Sequence, residues 1–255
     1  MNKIETYRAF LQTLPLPEWD AYLLQESHLP GPRSNLELAQ AVADEGDAAL
    51  FERYIAMDAA QAPVNTPGEF LAVCGAIGLG RLLVEGHLEL FATLRQLASD
   101  SRWRMREGVA MALQRLGDAD MELLLAEMER WTNGANFLEQ RAIAAALCEP
   151  RLLKKAEHAR RVLAILDTIT ASLPGLSEAE RRSEPFLALR KGLGYCWSVA
   201  VAALPPEGAA CMERWFRVDD KDVRWIMKEN LTKNRLARMD SAWVRQWQAY
   251  FLQQS

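Results

Sequence analysis

The sequence predicts an all-α chain built from repeated helix pairs, and three observations carry that prediction. Apolar residues recur at helical spacing: Met121, Leu124, Leu125, Met128 and Trp131 fall on one face of a helix. Helix start and stop signals alternate along the chain, and no convincing period-2 strand pattern interrupts them. One helical segment also recurs, most plainly as RWRMREGVAMALQRL at 102–116 and RWIMKENLTKNRL at 224–236.

The elements follow in chain order. Residues 1–46 are expected to form an N-terminal helical cap, with Ser34-x-x-Glu37 matching a capping box, in which a hydroxyl and a carboxylate satisfy orphan amides reciprocally. Thr66-x-x-Glu69 matches the same pattern, and Pro67 sits in the first turn, where its missing N–H had no partner anyway. Gly86, Gly117, Gly134, Pro150 and Pro174-Gly175 mark stops. Partner helices are expected at about 88–99, 120–132, 155–172 and 207–217. The polar stretch PGLSEAERRSEP (174–185) is expected to be a surface loop, although Ser177-x-x-Glu180 inside it is a third capping-box match. The last segment, 240–255, places Trp243, Trp247, Tyr250 and Phe251 in one stripe that would cover the open end of the final repeat.

Five copies share one frame, beginning at Phe70, Trp103, Phe137, Leu187 and Trp225, a column that is always large and apolar. Five residues on, Gly75, Gly108, Ala142, Gly192 and Asn230 form a small column, followed by the apolar column Ala76, Val109, Ile143, Leu193 and Leu231. Interior glycine costs a helix about 1 kcal/mol against alanine, so closer helix packing is expected to offset it. The small column advances in steps of 33, 34, 50 and 38 residues. Each pair of helices leaves an apolar face open that stacking closes, which predicts a single solenoid domain over 1–255, with about five repeats over 47–239.

Composition bounds the function. The chain has 255 residues, half of them hydrophobic and a quarter charged, with a net charge of −4. That excludes disorder, collagen and a small disulfide scaffold. The charge is uneven: residues 1–100 carry 6 basic and 14 acidic groups, and 101–255 carry 24 and 20. The C-terminal part is therefore suited to an anionic partner. Cys74, Cys148, Cys196 and Cys211 show no metal or redox spacing and are expected to be reduced and buried. Glu5 and Arg8 fall where a secretory signal needs an apolar run, and the apolar stretch Phe70 to Gly80 is about half a membrane span, so a cytoplasmic protein with no membrane partner is expected. No phosphate-binding loop or nucleophile elbow occurs, and His28, His87 and His158 are isolated; neither a cofactor nor a metal is expected.

Asp100-x-x-Trp103-x-x-Arg106 and Asp222-Val223-Arg224 resemble the HEAT pattern, in which an Asp caps the second helix and an Arg follows. The chain thus resembles HEAT and armadillo-like repeat proteins, which implies a right-handed superhelical solenoid of antiparallel helix pairs. Such repeats mostly serve as binding scaffolds, using the concave face lined by their second helices. Arg102, Arg104, Arg106, Arg141, Arg190, Lys191, Arg224 and Lys228 lie on those helices and would form a basic groove for a protein or peptide. A non-enzymatic scaffold is the first functional expectation; the sequence assigns no oligomeric state.

The alternative comes from a weaker resemblance. In the HEAT-like bacterial alkylpurine DNA glycosylases, a Trp followed four residues later by an Asp, with a second Trp two repeats on, lines an electron-rich cleft. Trp103, Glu107 and Tyr195 are similar to that set. The resemblance implies excision of alkylated bases, with aromatic faces and a carboxylate stabilising positive charge. Glu replaces Asp and Tyr replaces Trp here, and the Trp-x-x-x-Glu pair recurs at Trp225 and Glu229. The always-apolar first column equally assigns Trp103 to packing, and a carboxylate in a first turn complements the helix dipole, so both readings stay open.

Overall fold

The computed structural model describes residues 2–253 and contains sixteen α-helices and no strand among them. The chain divides into two compact units, Met1–Ala119 and Asp120–Ser255.

The first unit holds α1 (Lys3–Leu11), α2 (Trp19–Glu26), α3 (Leu36–Glu45), α4 (Ala48–Ile55), α5 (Pro67–Val84), α6 (Leu90–Leu97) and α7 (Trp103–Ala119). Helix α5 is its centre and packs on α2, α3, α4, α6 and α7. It is apolar all round, as a helix covered on every side must be. Its eighteen residues meet the length and composition of a membrane span, longer than the apolar run suggests, and 78% of that window is buried inside the structure. Close packing rests on glycine. A Cβ on Gly80 would lie 2.4 Å from the Ala112 carbonyl oxygen of α7, and one on Gly75 would lie 2.7 Å from the Tyr54 Cβ of α4. These contacts replace the roughly 1 kcal/mol that each glycine forfeits in helix propensity.

The second unit holds α8 (Met121–Thr132), α9 (Phe137–Leu147), α10 (Ala156–Ala171), α11 (Glu178–Arg181), α12 (Glu184–Ala203), α13 (Pro205–Phe216), α14 (Lys221–Leu231), α15 (Asn234–Met239) and α16 (Ser241–Gln253). Helix α12 packs between α9 and α14, while α10 packs on α8 and α13. The pairs α8/α9, α10/α12 and α13/α14 connect the two layers. The apolar column is buried throughout the chain, from Ala76 and Val109 through Ile143 and Leu193 to Leu231. Its neighbour Asn230 is buried too, but by hydrogen bonding: its amide donates to the Leu193 and Ile226 carbonyls and accepts from the Ser198 amide, joining α14 to α12. Helix α16 seats Trp247 and Phe251 on Phe216 of α13, with centroids 4.6 and 5.5 Å apart, and so covers the last pair.

Several sequence expectations are corrected. The side chain that caps α3 is Asn35, which accepts from the Leu38 amide, not Ser34. Gly117 lies inside α7, which has no reason to stop there because Leu116 and Gly117 are both buried. The 174–185 stretch contains α11, a short helix opened by the Ser177–Glu180 capping box and anchored by buried Arg181. Arg181 donates to both Asp220 and Asp222. Burial alone would raise the Asp220 carboxyl, but the Arg181 hydrogen bond, the Val223 and Asp222 amides and the Arg181 charge outweigh it and hold it below the usual carboxylate range. The large apolar column is not uniformly a packing column: Phe70 is buried, whereas Trp103 and Leu187 are exposed.

Candidate functional site

The eight cations expected to line a groove divide into two groups. Those of the first unit are structural. Arg102 is 1% exposed. It grips the Asp100 carboxylate at 2.7 and 3.0 Å and donates to the carbonyls of Met57, Asp58 and Ala62, which lie in a loop no helix satisfies. Burial pushes the Asp100 carboxyl up, but hydrogen bonds from Arg102 and the charges of Arg102 and Arg106 hold it below the usual range. Arg104 is buried against Glu69 at 3.0 Å and donates to the Gly31 carbonyl at 2.7 Å. Arg106 is buried and donates to the Asp100 and Ser101 carbonyls. All three stitch loops to helices, and the expectation that they offer charge to a ligand is corrected.

Beside them lies a pocket of about 310 Å³ entirely within the first unit, lined by Pro32, Leu36, Val73, Trp103, Glu107 and Met111 among others. Trp103 is 45% exposed at its mouth. Trp103 and Glu107 share this pocket because they stand one turn apart on α7. One face of the Trp103 ring is already occupied: the Arg104 guanidinium lies 4.4 Å from its centroid.

The second-unit cations are more available. On α9, Arg141 is half-buried, with its Cγ near Gly192 of α12. Arg190 is half-buried, donates to Asp222 at 2.6 Å and lies 4.6 Å over the Trp225 ring. Arg224 reaches the fully exposed Asp219 at 3.2 Å. Lys191 and Lys228 are exposed and make no hydrogen bond or ion pair among the described residues. Tyr195 is 45% exposed on the same helix as Lys191. Its ring carries the Arg235 guanidinium at 4.7 Å, and Arg235 also donates to its phenol oxygen. That cation on the ring weakens Tyr195 as a partner for a second cation.

Two cavities border this region. One, of about 630 Å³, is lined by Arg224, Trp225, Lys228, Leu231, Thr232 and Leu252 among others. The second, of about 480 Å³, lies against Tyr195, Thr232, Lys233, Asn234, Arg235 and Arg238. Arg235 and Arg238 are not among the cations expected to line a groove. The available signal was two arginines three residues apart in NRLARM with no acid between them.

Burial pushes the Cys74 and Cys148 thiols well up, away from the reactive thiolate. No group of three His, Cys, Asp or Glu side chains gathers as around a metal ion among the described residues. No family model, curated protein or solved structure matches the chain.

Proposed function

We propose that the chain is a non-enzymatic HEAT-like binding protein, its helix pairs arranged within each unit as in a right-handed superhelical solenoid. A protein or peptide partner would lie on the outward face of α12 and α14. One observation carries this reading. These two helices bury Leu193, Trp197, Ile226 and Met227 on one side and present Lys191, Tyr195 and Lys228 to solvent on the other. Aromatic rings beside concave space are what recognition surfaces use, and cations without an ion pair there would steer an anionic partner toward them.

The test uses Lys191→Glu/Lys228→Glu, because Arg102, Arg104 and Arg106 are committed to the fold. Peptides selected from a displayed library against the wild-type chain should bind the double variant at least tenfold more weakly, with its thermal midpoint nearly unchanged. Undiminished binding refutes this face.

A second reading is favoured by the pocket that Trp103 and Glu107 share. An alkylpurine glycosylase of the HEAT-like type would use that exposed ring and carboxylate against a cationic base. It predicts release of methylated purines from alkylated DNA that Glu107→Gln abolishes, and DNA binding that weakens steeply with salt. No DNA association at low salt would eliminate it.

A further inference from the structure

We propose that the cavity formed by Tyr195, Lys233, Asn234, Arg235 and Arg238 is a receptor for a phosphorylated side chain of a peptide whose apolar neighbours enter the adjoining cavity. This rests on the reading of the chain as a peptide-binding protein and names the class of peptide.

The starting observation is an account of guanidinium groups. In the second unit, Arg160 pairs with Glu207, Arg161 with Glu129, Arg181 with Asp220 and Asp222, Arg190 with Asp222, and Arg214 with Asp167. Arg235, like Arg182, Arg217 and Arg245, makes no ion pair among the described residues, but it alone of these lines a cavity together with a second such arginine. Its neighbours are the face and hydroxyl of Tyr195, both neutral, and no carboxylate reaches it among the described residues. Arg238 is exposed and makes no hydrogen bond or ion pair among the described residues. Asn234 leaves its side-chain amide equally uncommitted, while Lys233 is taken by Glu229.

Placement turns this into a site. Arg235 and Arg238 stand three residues apart on α15, so their side chains share a face, and like charges so placed repel. The fold leaves that repulsion uncompensated and points both groups at one cavity of about 480 Å³. Tyr195 restrains Arg235, so less side-chain freedom is lost when an anion arrives. Two guanidinium forks without a counter-charge match a dianion whose oxygens accept two parallel hydrogen bonds, the pattern of phosphate recognition by arginine clusters.

The neighbouring space chooses the carrier. Thr232 borders both cavities, and the 630 Å³ one includes Trp225, Leu231, Phe251 and Leu252 in its wall, the last 75% exposed. An anion next to apolar groups describes a phosphorylated residue flanked by leucine-like side chains. A nucleic acid would instead need cations spread along a track, since each phosphate is followed by another. Here Arg235 and Arg238 share one pocket, and the cations of the adjoining cavity, Lys221, Arg224 and Lys228, stand among apolar side chains and beside Glu229, so the oligonucleotide arm of the experiment below separates one phosphate from a track of them.

The experiment is calorimetric titration of the full chain with a short peptide carrying one phosphoserine between leucines, its unphosphorylated form, and a ten-nucleotide single strand. The phosphopeptide should bind at least tenfold tighter than the unphosphorylated peptide. Arg235→Gln/Arg238→Gln should erase that preference, Arg235→Lys should recover part of it, and circular dichroism should show both variants folded. Equal binding of the two peptides, or a preference that survives the double glutamine variant, overturns the site. Tighter binding of the oligonucleotide that the same variant abolishes assigns the pocket to nucleic acid and also overturns it. If library peptides still depend on Lys191 and Lys228 while no phosphate preference exists, the pocket fails and the binding face stands.

Discussion

Replacing Arg104 with alanine should unfold the first unit far more easily than loss of one surface charge would. Glu69 is fully buried, and its Oε2 accepts from the Arg104 guanidinium at 3.0 Å and the Asn65 amide at 2.8 Å. Its Oε1 and the Arg104 Nε already lack partners. Removing Arg104 leaves a carboxylate in the core with one hydrogen bond, and the Gly31 carbonyl loses its donor. Breaking a buried pair from one side costs about 3–5 kcal/mol. Replacing both members with apolar residues of similar size, Glu69→Leu with Arg104→Met, removes the uncompensated charge and should cost roughly 2 kcal/mol less than Arg104→Ala. Urea unfolding followed by tryptophan emission reads the effect, since Trp19 and Trp103 report on the first unit and Trp103 stacks on Arg104. Hydrogen exchange at the Gly31 and Asn65 amides, which the same network holds, should accelerate in parallel. An Arg104→Ala variant destabilised by less than about 1 kcal/mol, the worth of an exposed pair, would refute the buried-network account. So would a double variant less stable than the single one.

Three further outcomes follow from the packing. Gly80→Ala should destabilise the first unit by about 1–3 kcal/mol, because the new methyl meets Ala112 backbone that cannot yield; Gly192→Ala meets only the flexible Arg141 Cγ at 3.4 Å and should be neutral or stabilising by up to about 1 kcal/mol. Equal midpoints in a thermal melt would contradict the difference in packing. Asn230→Ala should cost about 1–3 kcal/mol through the lost link between α14 and α12, measurable by the same melts. For pH, the Asp220 carboxyl is depressed in the fold, so its contribution is complete above the unfolded value near ~4 and is lost as pH falls through the lower folded value. Asp220→Asn should therefore flatten the loss of second-unit stability below about pH 4 in acid titration, and an unchanged acid limb would show that the Arg181 pairing contributes nothing.

The helices were legible because their signals are local. Partner helices expected at 88–99, 120–132, 155–172 and 207–217 occur as α6, α8, α10 and α13 within a few residues, since apolar periodicity is a property of neighbouring side chains, although of the four only α8 has a side-chain cap. Errors arose where distant partners decide. Gly117 looks like a stop until its burial continues α7, and Arg181 looks solvated until Asp220 and Asp222 arrive from some forty residues away. Trp103 and Phe70 share a column, yet one is exposed and the other buried, because α5 is covered on every side while the start of α7 borders the open 310 Å³ pocket.

The same reason explains why the candidate site was the least legible feature. A repeat specifies which face of a helix meets its neighbour, but the use of each cation depends on the loop beside it. Arg102 is drawn inward because the 57–62 loop offers carbonyls that need donors, whereas Arg224, its match in the later copy, finds only the exposed carboxylate of Asp219. The arginines of a conspicuous basic motif such as RWRMRE can therefore all be structural, while a cation that could serve a ligand is better sought where it has no ion pair. Arg235 and Arg238 meet that criterion, since removing their charge breaks no ion pair among the described residues. Stability and binding should consequently separate at these positions: the glutamine pair should leave the melting transition in place while changing what the chain retains, whereas alanine at Arg102 or Arg104 should shift the melt first.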